Sequence, residues 1–584
     1  MLTNLPRAPR VRRARTAVVL LALTAALVGR AQDVDSGDTP VTLDDRAVSF
    51  RGFWADAFNP GFKSNTDVNT IVTRAVTGRY NAIIPEVLAY QDHGTSGHGS
   101  YWNSSILPKA TDISGGIDPL ATLVTKAHAN GLEVHAWIVP YRVCLTWPPS
   151  GNTRVQSKWI MVPQANMGGG PAKITDAYYL DAGSPDAQEY IISIVRELVT
   201  NYQIDGINYD YIRYVDEDAG YPADPNYAGS SLARFRALTG YVGTPGPSEP
   251  SWCDFRRRTI SELVRRTRAE IPSIANVRQP LRFTADLIAW GSAPGSFSNS
   301  DAYHLFCDWR MWMEKAYLDA GIPMNYKREY DSGQAAMYRS WVNAAIGWRY
   351  SRYMFCGQGN YLNRKADSVT QLQYCLSAGA NGVVNYSYWD TADENMDGNS
   401  ENDPNWYGYV AANLFTSTAT PPTMPWRDPN TATEGTLWGR VADPGTDTPI
   451  DGASVQVGSL AAVQTDGNGY YVVTLIAASA GGTSYTVTAS KSGCPTTRLT
   501  GVVVRRGIVV RQDINLCDTA VLPGDYDHDG DVDRADLNAF IACMAGDGYQ
   551  YVNGHMCLTD DLDGDQNVDL ADFAVFQQSF TGSL

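Results

Sequence analysis

The sequence predicts a multidomain chain: an α/β (β/α)₈ TIM barrel, then a small all-β sandwich of immunoglobulin type, then a small α-helical module. Three observations carry this. Between residues 47 and 415, short β-branched or aromatic runs alternate eight times with helix-like segments, the pattern of βα units around a parallel sheet. Residues 433–517 hold short alternating strands separated by turn residues, as in a small sandwich. Residues 522–584 carry one acidic spacing twice, an internal duplication.

The chain begins with Arg7, Arg10, Arg12, Arg13 and Arg15, then a twelve-residue, largely apolar run from Ala17 to Val28, then Gly29-Arg30-Ala31-Gln32. A basic region, a short apolar core and a small-residue site read as an export signal over residues 1–31; a span needs about twenty apolar residues. An uncleaved anchor is the alternative. No later run is long and apolar enough to cross a bilayer, so the expectation is a protein secreted from, or held at the surface of, a bacterial cell.

Of 584 residues, 46 are Lys or Arg and 62 are Asp or Glu, for a net charge of −16. Residues 518–584 hold fourteen Asp against the single Arg534, so the acidity is concentrated in the tail. A chain of this sign is not built to bind nucleic acid, whose phosphates call for clustered Lys and Arg. Nine Cys suit an exported protein without forming a dense framework. The pairs Cys494/Cys517 and Cys543/Cys557 are close enough in sequence to bridge within small modules.

Within the barrel region the strands are expected at 47–54, 82–86, 133–139, 206–210, 282–288, 322–326, 353–357 and 382–386. A typical intervening helix starts at Asp118-Pro119, an N-cap followed by proline at the first helical position, and stops at Gly131. Chemistry in such a barrel sits at the C-terminal ends of the strands. Those ends supply Asp56, Glu86, His135, Asp210 with Tyr211 and Arg213, Asp308, Asn325 with Tyr326, Gln358, and Tyr386 with Trp389. Carboxylates, amides and aromatic rings on one rim suit a sugar, whose hydroxyls need hydrogen bonds and whose ring faces stack on aromatics.

Arg51-Gly-Phe-Trp-Ala-Asp56, Gly131-Leu-Glu-Val-His-Ala-Trp137, Asp205-Gly-Ile-Asn-Tyr-Asp-Tyr-Ile-Arg-Tyr214, Asp308-Trp309 and Pro323-Met-Asn-Tyr326 resemble successive blocks of the glycosyl hydrolase-like barrels once catalogued as a domain of unknown function and tied to bacterial envelope glycans. The resemblance covers about residues 47–400. It implies a glycosidase barrel distantly related to the α-amylase type, with an Asp ending the fourth strand. Asn208 departs from that block, where His is common.

Glycoside hydrolysis needs two carboxyl groups, one protonating the leaving oxygen and one acting as nucleophile or as base on water. Asp210 is the candidate nucleophile or base, with Arg213 near enough to hold it ionised; a structural ion pair is the other reading. Asp308, among Phe306, Trp309 and Trp312, is the first candidate acid, since aromatic surroundings raise a carboxyl pKa. Glu86 and Glu314 are rivals, and Asp308 as a helix N-cap is the plainer reading. Asp56, His135, Tyr211, Arg213, Asn325, Tyr326, Gln358, Tyr386 and Trp389 are candidate glycan contacts, His135 equally a satisfied core histidine. No metal or other cofactor is needed for this chemistry.

A proline-rich connector, residues 416–432 with Pro421-Pro-Thr-Met-Pro-Trp-Arg-Asp-Pro429, is expected to be semi-rigid. The sandwich over 433–517 is similar to carboxypeptidase regulatory-like modules in Gly439-Arg-Val441, Ile450-Asp-Gly-Ala-Ser-Val455 and Thr465-Asp-Gly-Asn-Gly-Tyr-Tyr471, and is expected to be a spacer or a weak carbohydrate binder.

In the tail, Asp525, Asp527, Asp529, Asp533 and Asp536 occupy positions 1, 3, 5, 9 and 12 of a loop with Gly530 at position 6, and Asp561, Asp563, Asp565, Asp569 and Asp572 repeat that register. Hard Ca²⁺ takes six to eight oxygens, and this spacing wraps one ion before a helix, so two Ca²⁺ sites are expected. The duplicated loop–helix resembles a type I dockerin, which implies a cohesin-like receptor or cell-surface scaffold as partner. Gln566 replaces the usual Gly, and Cys543 and Cys557 are atypical. Taken together the sequence predicts a secreted or surface-tethered glycoside hydrolase acting on a polysaccharide or peptidoglycan-type glycan. The alternative is a non-catalytic barrel that binds glycan or protein.

Overall fold

A computed structural model describes residues 44–584 except 275–276, 518–523, 525, 527–531, 546–548, 552–554 and 581–584. The expected export signal lies outside the described residues, as do Asp525, Asp527 and Asp529 of the first acidic loop.

Eight parallel strands, β1 (Phe50–Ala55), β2 (Ala82–Leu88), β3 (Glu133–Ile138), β4 (Gly206–Tyr209), β5 (Arg282–Ile288), β6 (Ala320–Met324), β7 (Tyr353–Gly359) and β8 (Gly382–Tyr386), close into a barrel. β8 pairs back onto β1, with Phe50 against Gly382 and Trp54 against Tyr386. The two-residue period of a strand divides each one. Phe53, Ile83, Val134, Ile207 and Phe283 face the helices, in the large apolar core. Phe50, Trp54, Ile84, Trp137, Ile322, Phe355 and Val384 fill the interior.

Polar capping starts the helices as the sequence implies. Asp118 accepts from Ala121 N–H at 3.0 Å at the head of helix Pro119–His128. Gly206 shows why one glycine is needed: a Cβ there would stand 2.2 Å from His135 Nδ1, because the imidazole crosses the lower barrel. A four-stranded antiparallel sheet (Arg142–Cys144, Ile160–Val162, Tyr178–Leu180, Tyr221–Pro222) is built from the excursions after β3 and β4.

The proline-rich connector is not a free spacer. Arg282, inward-facing at the start of β5, donates to Pro422 O at 2.7 Å, and Tyr353 OH donates to Thr423 O at 2.7 Å. Trp426 Nε1 and the Arg427 guanidinium both reach Asp319, at 2.7 and 2.6 Å. The segment therefore closes the floor of the barrel.

The sandwich packs two sheets over Leu437, Val441, Val455, Tyr471, Val473, Val487 and Val504, with a Cys494–Cys517 disulfide. It is docked on the barrel rather than merely trailing it. Ala269 of the barrel helix Pro250–Glu270 packs with Trp438 and Val472; Arg234 pairs with Asp451 at 2.8 Å; the Arg266 guanidinium sits 4.1 Å from the Tyr470 ring. In the tail, helices Arg534–Cys543 and Leu570–Ser579 share a small core of Val532, Phe540, Tyr551, Val568 and Phe576, with a Cys543–Cys557 disulfide. Among the described residues no helix is long and apolar enough to cross a membrane.

Candidate active site

Three carboxyl groups meet inside the C-terminal mouth of the barrel, each placed by strand alternation. Glu86 lies on β2 two residues beyond Ile84, and Asp210 follows β4. Asp286 lies on β5, next to Asp210, since Tyr209 pairs with Ala285. All three are buried, at 3–5% exposure. Glu86 accepts from Ala57 N–H at 2.9 Å; burial pushes its pKa up to about 8, with the charges of Asp56 and Asp210 adding to the rise. Burial also raises Asp210, against the pull of Arg213, of the Tyr211 N–H that donates to it at 2.6 Å, and of Arg142. Asp286 is driven well above the carboxylate range by burial and then by Asp210. It accepts from Asn208 Nδ2 at 2.8 Å, and Thr284 Oγ1 donates to Asn208 Oδ1 at 2.7 Å, so the amide can turn only its NH₂ to the acid.

Of the three, only Asp210 has cations offsetting its burial to a leading extent. Asp210 is thus the carboxyl whose burial is opposed first by a cation, whereas burial dominates at Glu86 and Asp286 and the charge of Asp210 adds to it. Two carboxyl groups whose environments separate their protonation states are the requirement for acid–base work on one bond.

Aromatic rings wall this space. Tyr326 stacks on Tyr386 at 5.5 Å, with Trp54 edge-on to both at 6.3 and 6.2 Å. Trp137 and Tyr361 stand 6.4 and 5.8 Å from Tyr386. The buried indole nitrogens of Trp137 and Trp54 are directed at the carboxyls of Asp210 and Asp286, respectively, and favour their charged forms.

Residues 61–350 match the family Glycosyl hydrolase-like 10. Residues 436–517 match the Carboxypeptidase regulatory-like domain. Glycosyl hydrolase DigH of Escherichia coli strain K12 is 30% identical over 241 residues, 38% of this chain and 51% of that protein. Glycosyl hydrolase YngK of Bacillus subtilis strain 168 is 24% identical over 226 residues, 36% of this chain and 39% of that one. The chain thus spans about half or less of these curated relatives. A solved endo-β-1,4-mannanase from Thermotoga petrophila aligns at 13% identity and TM-score 0.38, over 81% of this chain and 99% of that one.

In the barrel the residues proposed from sequence divide into two groups. Glu86, Asp210, Tyr326 and Tyr386 come together in the mouth. Tyr211, with Arg142 and Arg213 against its ring, lies beside Asp210. Asp56 is adjacent, but its carboxylate is spent on a turn, accepting from Phe58 and Asn59 N–H at 2.9 and 3.0 Å.

The others are elsewhere. Asp308 accepts from Met311 N–H at 3.2 Å as the N-cap of helix Trp309–Glu314. Burial raises it, but its charged neighbours are Arg257, Arg310 and Glu314, the sequence's other rival acid, rather than the mouth carboxyls. Of the candidate acids, Glu86 stands with Asp210 in the mouth, and Asp286 joins them from the neighbouring strand. His135 lies one inward step below Trp137, fully buried and bonded to Glu133 at 2.9 Å, too deep for the rim. Asn325 and Gln358 turn outward into the helix layer: Asn325 Nδ2 donates to Tyr338 O at 2.9 Å, and Gln358 Nε2 to Ser368 Oγ and Gln371 Oε1 at 3.1 Å. Trp389 is half-buried against the outer core.

Asp286, Trp54, Trp137 and Arg142 were missed. The signal for the first lay in Arg282-Phe-Thr-Ala-Asp-Leu-Ile288, where polar Arg, Thr and Asp alternate with apolar residues and so share the inward face.

In the second acidic loop, one oxygen from each of Asp561, Asp563 and Asp572 lies within 4.8 Å of the others. Asp561 also accepts from the N–H groups of Gly564, Asp565 and Gln566 at 2.7, 3.0 and 2.8 Å, which curls the loop inward. Asp565 accepts from Asn567 N–H, and Asp569 with Asp572 forms a capping box on the following helix. Three hard oxygens on a curled loop are a donor set that fits Ca²⁺. Of the first loop, Asp533 and Asp536 are described; Asp536 accepts from Tyr526 and Asp533 N–H at 2.6 and 2.9 Å, the bonds Asp572 makes to Leu562 and Asp569.

Proposed function

We propose that this protein is an exported glycoside hydrolase acting on a polysaccharide or peptidoglycan-type glycan. The observation that carries the reading is the mouth itself: one carboxylate supported by cations, Asp210, faces protonated Glu86 inside a wall of aromatic rings. Glu86, with its pKa near 8, is matched to donate a proton to a glycosidic oxygen at neutral pH. Asp210 meets the positive charge developing at the anomeric carbon, as nucleophile or by taking a proton from water. Asp286, protonated and oriented by Asn208, donates a hydrogen bond to the sugar. The relatives' names support the reaction class.

The tail fits the same reading as a Ca²⁺-stabilised module that tethers the enzyme to a cohesin-like receptor or surface scaffold, as the duplicated loops suggest. The test is product release from peptidoglycan strands and a panel of polysaccharides. Wild-type protein should liberate new reducing ends and Asp210→Asn none. Glycan binding without product from either protein would replace the hydrolase reading with that of a binding barrel.

A further inference from the structure

Two cations at the mouth form no contact ion pair with a carboxylate among the described residues. Arg142, just past β3, and Arg213, just past β4, lie against the Tyr211 ring at 4.3 and 4.2 Å. Arg142 is also 4.8 Å from the Tyr90 ring. They are 9% and 8% exposed. The Nε of each has no hydrogen-bond partner, and neither guanidinium forms an ion pair with a carboxylate, among the described residues.

Burying a charge without a partner is costly; Arg256 is matched by the carbonyls of Glu217, Ala219 and Pro247, and several other buried arginines of this barrel by carboxylates. Arg51 pairs with Asp44 at 2.9 Å, Arg234 with Asp451, and Arg266 with Glu270 at 2.8 Å. The backbone also gives way to keep the arrangement, since Tyr211 has φ of 49°, a conformation that side-chain-bearing residues adopt at a cost. Arg213 is the leading charge acting on Asp210, yet makes no contact pair with it, as a group serving only to hold that carboxylate ionised would do. Next to Arg213, at 5.5 Å, is the ring of Trp290, which is 45% exposed and offers an apolar face on which a sugar can stack.

Resting on the glycosidase reading above, we infer that Arg142 and Arg213, with Trp290 as platform, form a subsite beside Asp210 for a sugar that bears an anionic group, a carboxylate or a sulfate ester. A guanidinium presents paired N–H donors in the plane that such groups accept. A neutral sugar gives neither guanidinium an anion to pair with, although Arg142 also bonds Tyr179, and a site built for a polar partner discriminates against ligands lacking it.

The test is calorimetric binding by the full chain carrying Glu86→Gln, so that turnover is suppressed. The probes are uronic-acid and sulfated oligosaccharides, each paired with a neutral counterpart of the same linkage. An acidic member should bind about tenfold to a hundredfold more tightly than its counterpart, the range of a charge-assisted hydrogen bond. Added Arg213→Gln should bring that ratio close to one, the acidic ligand losing more affinity than its neutral counterpart. Arg213→Lys, which keeps the charge without the fork, should fall between. A larger preference within the uronic-acid pairs assigns the group as a carboxylate, within the sulfated pairs as a sulfate ester. A panel in which no acidic member is preferred, or an Arg213→Gln protein that loses acidic and neutral ligands equally, overturns the proposal. Acidic preference together with no cleavage by the wild type would leave the subsite standing and remove the hydrolase reading alone.

Discussion

Glu86 keeps its proton because ionising it means placing a charge in a nearly dry pocket next to Asp210. The unfolded chain has no such pocket, so folding binds a proton at this position between about pH 4.5 and 8. The stability it contributes is whole below about pH 4.5 and is lost as pH rises through that window. Glu86→Gln removes the titration. The variant should therefore gain thermal stability relative to wild type between pH 5 and pH 8, measured as the difference in Tm. An equal difference at both pH values would show that Glu86 is ionised in the fold. Asp210→Asn should also lower the Glu86 pKa, because one of the charges raising it is gone; carbon NMR of labelled glutamate reads this directly. At the far end of the chain, Gln566 has φ of 72° where a glycine would be unstrained. Gln566→Gly should stabilise the tail by about 1 kcal/mol and tighten Ca²⁺ binding measured by calorimetry.

Barrel strands were readable element by element because each is a short apolar run between turn signals, and strand registers follow from closure. What the inward faces hold was less readable. A polar residue at a strand's end declares itself as a mouth residue. Asp286, one turn of the pleat earlier, looks like part of the strand until Arg282, Thr284 and Asp286 are seen to alternate with Phe283, Ala285 and Leu287. The same alternation separates Tyr386, inward, from Gln358, outward, although both stand near the ends of their strands. Asp308 was misplaced because aromatic neighbours in sequence suggested a dry pocket, whereas its carboxylate is used by the helix it caps. The connector could not be placed from proline content alone, since its attachment depends on Asp319. There burial is outweighed by Arg427 and Arg268, which hold the carboxylate well below its ordinary range. Removing one side of a buried ion pair is expensive, so Asp319→Asn should cost about 3 kcal/mol, seen as a lower denaturation midpoint. An unchanged midpoint would show that the connector does not brace the barrel floor.

Barrel and sandwich share an interface in which Arg234, Arg258 and Arg266 meet Asp451, Thr465 and Tyr470 around Trp438. They should unfold together, giving one calorimetric transition for both, and Trp438→Ala should split it; two separate transitions in the wild type would show independent modules. This matters for the mouth because the helix Pro250–Glu270, which carries that interface, stands between β4 and β5 in the chain, the strands that supply Asp210 and Asp286. The most direct test of the proposed chemistry is kcat/KM against pH for wild type and Glu86→Gln on one cleaved glycan. The wild-type value should fall as pH rises through about 8, where the acid loses its proton. Glu86→Gln should be slower by about 10²–10⁴-fold and lack that limb. A Glu86→Gln protein that keeps the same limb, or the same rate, would contradict the assignment of Glu86 as the proton donor.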